Sequence, residues 1–257
     1  MSVLIVCAVA LVASCLTFFS GFGLGTLLLP AFALLYPVEH AVALTAIVHF
    51  LNGLFKLALV GRRADLRIVF MFGLPALATA FVGAWALLWL SDAGPVARYS
   101  LLGREVLVMP AKLVVGLLLL LFSLAELSPR FRERTFPPRY LFIGGLLSGF
   151  FGGLSGMQGA LRSAFLAKAG LTKEAFVATG VVIACLIDLS RLGVYAQIFW
   201  REGSTLDHGV VAAAVLSAFA GAVLGNRYLE RISVRSLRRI VAGMLLGVSA
   251  GLMSGLL

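Results

Sequence analysis

An apolar run of 35 residues, from Ser2 to Tyr36, is cut by Ser20-Gly21-Phe22-Gly23-Leu24-Gly25-Thr26. Neither flanking piece is a comfortable membrane span. Residues 3–19 number 17, the short limit, and residues 24–36 number 13, about 20 Å as a helix against roughly 30 Å of hydrocarbon. Glycines at alternate positions favour an unwound turn over a continuous helix. Unwound backbone at membrane depth survives only where protein buries it or where it lines a polar cavity. A second interruption has the same character: Gly152-Gly153-Leu154-Ser155-Gly156-Met157-Gln158-Gly159, between apolar pieces at 140–154 and 160–170. Paired breaks in two halves of one chain point to a transporter site.

The chain is 61% hydrophobic and 12% charged, which places it among all-α polytopic membrane proteins rather than soluble domains. The net charge of +10 is no sign of nucleic-acid binding, because most of the basic residues crowd into three loops. Cys7, Cys15 and Cys185 fall in apolar segments, so neither a disulfide framework nor a metal cluster is expected. The first Lys or Arg is Lys56, and the N-terminus does not read as a cleaved signal peptide.

Full spans are expected at 41–60, 68–90 (with a kink at Pro75), 106–127, 175–200, 209–228 and 240–257. Residues 61–67 carry Arg62, Arg63 and Arg67 against Asp65. Residues 128–139 carry four arginines against Glu133, and 227–239 carry five against Glu230. The loops at 91–105 and 201–207 are balanced. The positive-inside rule puts the three Arg-rich loops in the cytoplasm and both termini outside, in a cell inner or plasma membrane. The first hairpin then starts and ends outside, and the second starts and ends inside. Each half reads as a broken hairpin followed by three spans, in opposite orientations. The predicted organisation is one membrane domain made of a first repeat (1–127), a cytoplasmic linker (128–139) and a second, inverted repeat (140–257). An offset of 134 aligns Gly25 with Gly159, Ala41 with Ala175, and Thr45 with Thr179. The sequence leaves open whether each hairpin is re-entrant or two short full crossings.

At these breaks the chain resembles the sulfite exporter TauE/SafE family of membrane transporters. The residues that carry the likeness are Gly21-Phe22-Gly23-Leu24-Gly25 with Pro30, and Ala41-Val42-Ala43-Leu44-Thr45. In the second half they are Gly153-Leu154-Ser155-Gly156-Met157-Gln158-Gly159 and residues 175–179. The resemblance covers nearly the whole chain and implies secondary transport of small anions, including sulfite and organosulfonates. Family members often carry three consecutive glycines where this chain has Met157-Gln158-Gly159, and a proline where it has Ser163 and Ala164. These departures leave the expected fold intact and bear on substrate identity.

Thr45, His49, Asn52 and Lys56 follow one another at helical spacing and lie within about 60° of one another, a polar stripe on an apolar helix. Lys56, near the inner end, is expected to snorkel to the headgroups. His49 and Asn52 lie closer to mid-span, where they serve either a substrate or a neighbouring helix. Asp188, Arg191 and Tyr195 form the matching stripe in the second half. There, either Asp188 and Arg191 pair at i, i+3, or Arg191 faces substrate while Asp188 restrains it. Arg162, beside Gln158 and Ser163, has forked donors suited to an oxyanion. Helices starting near Leu24 and Gln158 aim free N–H groups at the breaks.

The candidate substrate site is therefore Gly21, Gly23, Gly25, Thr45, His49, Asn52, Gly156, Gln158, Gly159, Arg162, Ser163, Thr179 and Arg191. His49 and Asp188 are candidates for coupling or charge balance, since imidazole titrates near neutral pH. The expected partners are a small anion, the bilayer, a coupling proton or ion and a second copy of the chain, with no nucleic acid, cofactor or metal. The leading function is secondary transport of a sulfur oxyanion or sulfonate by alternating access. An anion channel is the first alternative and a membrane-embedded enzyme the second. Against an enzyme, the chain has no H-E-x-x-H motif. His49 and Asp188 suit an acid–base pair, but nothing supplies a nucleophile. It also lacks the P-loop motif, so an ion gradient is expected to drive transport rather than ATP.

Overall fold

The computed structural model describes residues 2–20, 24–101, 103–128, 134–201, 208–228 and 234–257. In the first half, α1 (Ser2–Ser20), α2 (Leu24–Ala33) and α3 (Val38–Val60) are followed by α4 (Leu66–Asp92) and α5 (Pro110–Leu127). In the second half, α6 (Leu141–Ser155), α7 (Gly159–Leu166) and α8 (Lys173–Arg201) are followed by α9 (His208–Tyr228) and α10 (Val234–Ser254). The protein is an all-α polytopic membrane protein. Among the described residues, three helical stretches are long and apolar enough to cross a membrane by length and composition: Val38–Arg63, Leu66–Asp92 and Lys173–Ile198.

The second break is an abrupt hairpin. Helix α6 ends at Gly156, whose φ of +77° suits glycine and whose N–H donates to Gly152 O at 2.9 Å. Helix α7 restarts three residues later. Its far end returns to the start of α6. Phe136 N donates to Ala164 O at 3.2 Å, the Phe136 and Phe165 rings stack at 4.3 Å, and Gly144 faces the Phe165 ring. An eight-residue helix is about 12 Å long and cannot cross 30 Å of hydrocarbon, so this hairpin is re-entrant. In the first half all ten residues of α2 are buried, Pro30 included, which makes this short helix the centre of the larger apolar core. Gly21 and Gly23 lie outside the described residues.

Small residues set how the helices meet. A Cβ on Gly145, Gly149 or Gly153 of α6 would lie 2.3, 2.1 and 2.1 Å from the carbonyl oxygens of Phe72, Ala76 and Ala80 on α4. The partners advance together, so α4 and α6 run parallel with their backbones in contact. Gly221 and Gly225 of α9 meet the carbonyls of Leu11 and Cys15 on α1 in the same way, again in parallel. Two other pairs run antiparallel. On α3 and α8, His49 meets Asp188 and Gly53 meets Cys185. On α5 and α10, Gly116 meets Ser249 while Ser123 donates to Ala242 O at 3.1 Å. Apolar lipid gives helices no hydrophobic reason to associate, so close backbone approach and interhelical hydrogen bonds take that role.

Two expectations change. The span expected at 106–127 starts later, because Ala97–Leu101 and Arg104–Val108 pair as an antiparallel hairpin, β1 and β2. Gly103 at its turn has φ +78°, and Tyr99 Oη donates to Ser254 O at 2.6 Å, tying the hairpin to the end of α10. Helix α5 therefore begins at Pro110. Pro75 does not stand alone as a kink: residues Val69–Gly73 just before it wind as a π-turn. A proline cannot donate to the preceding turn and crowds its carbonyl, and the wider turn makes room. Phe70, Leu74, Phe81, Trp85 and Trp89 on α4 face outward, as a lipid-exposed surface requires.

Candidate functional site

The two breaks come together. A Cβ on Gly25, in the first turn of α2, would lie 2.9 Å from Gly156 O and 3.6 Å from Thr45 Cγ2. Only a residue without a side chain lets the start of α2 reach the tip of the second hairpin. Gly156 is constrained a second time, since a Cβ there would lie 2.9 Å from Arg191 Nη1.

Beside this contact the polar stripes of α3 and α8 meet. Asp188 is fully buried and is the hub. Its Oδ1 accepts from Arg191 Nε at 2.9 Å and Gln158 Nε2 at 3.3 Å, and Arg191 Nη2 lies 2.7 Å from the same oxygen. Its Oδ2 lies 2.5 Å from His49 Nδ1. Arg191 also donates to Gly152 O at 3.3 Å, and Tyr195 Oη donates to Gly153 O. These two carbonyls belong to the last turn of α6, so the α8 stripe holds the second break in place. The i, i+3 ion pair forms, and it leaves Arg191 with no exposed surface.

Arg162 is placed differently. It donates through Nη1 to Gln158 Oε1 at 2.8 Å, and its Nε lies along α8 at Gly180. It is half-buried, and Gln158 links it to Asp188. One side-chain hydrogen bond among the described residues, from a five-donor fork, leaves donors for an anion.

The remaining expected residues spread outward. Asn52 is buried and accepts from Ser14 Oγ of α1 at 3.1 Å. Thr45 is fully buried, and its hydroxyl has no partner among the described residues. Gln158 and Gly159 are buried at the start of α7 and Ser163 is half-buried one turn on. Thr179 is committed elsewhere: its hydroxyl accepts from Asp65 N at 2.9 Å, fastening α8 to the start of α4. Lys56, expected at the headgroups, is buried, because the stripe it belongs to faces α8 rather than lipid.

Sequence reading did not pick out Ser14 or the Gly152 and Gly153 carbonyls. Ser14 carried a usable signal, a polar side chain in an otherwise apolar run. A backbone carbonyl carries none. Among the described residues no group of His, Cys, Asp and Glu is arranged to hold a metal ion.

What this arrangement offers is a set of hydrogen-bond donors and fixed positive charge where the start of α2 meets the tip of the second hairpin, in an apolar surround. That suits capture of a small desolvated anion. No curated protein matches the chain. The family model for the sulfite exporter TauE/SafE matches residues 6–252. The chain belongs to that family.

Proposed function

We propose that this protein is a secondary transporter that moves sulfite, an organosulfonate or a related sulfur oxyanion across the cytoplasmic membrane by alternating access. The observation that carries the reading is the contact of Gly25 with Gly156 beside Asp188, Arg191 and Arg162. Substrate sits beside the Gly25–Gly156 contact, held by N–H groups at the starts of α2 and α7 and by Arg162. His49 faces it from α3. Arg191 neutralises Asp188, so Arg162 is the cation left for substrate.

Inverted repeats are a common architecture for alternating access, and the helix directions support that arrangement. Equivalent helices of oppositely oriented repeats must pack antiparallel where they meet, as α3 does with α8 and α5 with α10. The exchanged pairs, α1 with α9 and α4 with α6, must both run parallel, and they do. Charge placement adds the orientation: Arg-rich loops inside, both termini outside.

Counterflow in proteoliposomes tests the reading. Vesicles preloaded with unlabelled sulfite should accumulate labelled sulfite above its outside concentration, a transient that a carrier produces and a channel does not. Sulfite flux without trans-stimulation supports the channel reading instead. No sulfite or sulfonate binding or flux defeats both.

A further inference from the structure

Resting on that transport reading, we infer that His49 carries a proton taken up together with the anion, at its Nε2 atom. The argument begins with the tautomer. Arg191 makes two contacts with Asp188 Oδ1, which keeps the carboxylate ionised and able only to accept. His49 Nδ1, at 2.5 Å from Oδ2, must therefore carry a hydrogen and donate. In the neutral ring Nε2 is then a bare lone pair.

Exposure identifies which part of the network exchanges with solvent. The His49 side chain keeps 10% of its surface exposed, whereas Asp188 and Arg191 keep none. Nε2 has no protein partner among the described residues. Of the Arg191–Asp188–His49 chain, only the His49 side chain keeps any exposed surface.

The chemistry of that edge changes sign with one proton. A neutral Nε2 presents a lone pair to an incoming anion and repels it. A protonated ring presents an N–H donor and a positive charge. Each ligand therefore raises the affinity for the other, and the coupling is reciprocal. The proton comes from water on the side to which the site is open, joins the Nε2 lone pair, and leaves to water on the other side after the anion dissociates.

The surrounding groups are consistent with this role. Helix α8 contributes Asp188, Arg191 and Cys185. Lys56 follows two turns along α3, Arg162 comes from α7 and Cys15 from α1. Residues 24–33 of α2, 68–90 of α4 and 209–226 of α9 contain no Lys, Arg, His, Asp, Glu, Cys or Tyr, and α5 adds only Lys112 and Glu126 near its ends. Asp188 is thus the single carboxylate deep in the site. Its hydrogen bond lets His49 hold a proton among arginines and a lysine. Arg191 already cancels the carboxylate charge, so the added proton creates the positive charge that an anion then neutralises.

Calorimetric titration of sulfite into purified protein, repeated in two buffers of different ionisation enthalpy at one pH, counts protons taken up per anion bound. The sulfite's own titration is common to every variant and cancels in the difference. The comparison is wild type with His49→Gln, whose amide still donates to Asp188, and with His49→Arg, which carries a fixed charge. The expected result is an excess of about half to one proton in the wild type. His49→Arg should keep its affinity within about tenfold and lose its pH dependence, while His49→Gln should bind at least roughly fivefold more weakly. Equal proton uptake in all three overturns the inference. So does loss of binding in both variants, because His49 would then be holding structure rather than a proton. Absence of sulfite and sulfonate binding in the wild type overturns the transport reading instead.

Discussion

Arg191 meets Asp188 twice at a single oxygen, with Nε at 2.9 Å and Nη2 at 2.7 Å from Oδ1, and neither side chain is exposed. Removing one member of such a pair strands the other charge in an apolar interior. Asp188→Asn should therefore destabilise the protein by about 3–5 kcal/mol. The double change Asp188→Asn with Arg191→Gln should recover part of that, since no net charge is left behind. Thermal unfolding of the detergent-solubilised protein reads both, and an unchanged melting temperature in Asp188→Asn would take the ion pair out of the stability account.

The α4–α6 contact predicts a contrast among glycines. A Cβ on Gly153 would lie 2.1 Å from Ala80 O, a backbone atom that cannot swing aside. Gly153→Ala should force the helices apart and reduce both folded yield and melting temperature. Gly193→Ala on α8 meets nothing within 4 Å and should be neutral or stabilising by up to about 1 kcal/mol from helix propensity. Size-exclusion profiles of the two variants, made side by side, test this. Equal behaviour would mean that the close approach is not holding the helices.

Arg162 should separate binding from folding. It is half-buried and donates a side-chain hydrogen bond to Gln158. Arg162→Gln should keep its melting temperature within a few degrees. Sulfite affinity should fall roughly ten- to hundredfold, the worth of a hydrogen bond to a charged group. Binding by titration calorimetry decides. Wild-type affinity in this variant moves the anion away from the second break.

Orientation is testable without a ligand. With the three native cysteines replaced, Ser100→Cys in β1 should react with a membrane-impermeant maleimide in intact cells. Arg139→Cys, exposed just before α6, should react only after permeabilisation. Labelling in the opposite sense reverses the orientation taken from the Arg-rich loops.

Much of the fold was legible in the chain because the signals are local. Hydropathy placed the long helices around 41–60, 68–90 and 175–200, while Gly21 and Gly23 of the first break lie outside the described residues. The second break ends at Gly156 and restarts at Gly159, within the eight residues that the sequence marked. The stripe from Thr45 to Lys56 was readable because helical period and polarity reside in consecutive residues. The strands at 97–108 were readable in principle from Gly103 between Tyr- and Val-bearing runs, but the apolar Val106, Leu107 and Val108 merged with the following span.

What only the tertiary structure decided is partnership. His49 and Asp188 are 139 residues apart, and nothing in either stripe states which way its helix is rotated or where it crosses the other. The sequence left open whether Arg191 pairs with Asp188 or faces substrate. The fold awards Asp188 to Arg191 and turns Arg162 toward Gln158. It also sends Thr179 to Asp65 and buries Lys56. The physical reason lies in the glycine contacts. Backbone approach at Gly25, Gly145, Gly149 and Gly153 sets the depth and rotation at which each helix docks. Those few ångströms determine which side chains meet, and a single strand of sequence does not contain them.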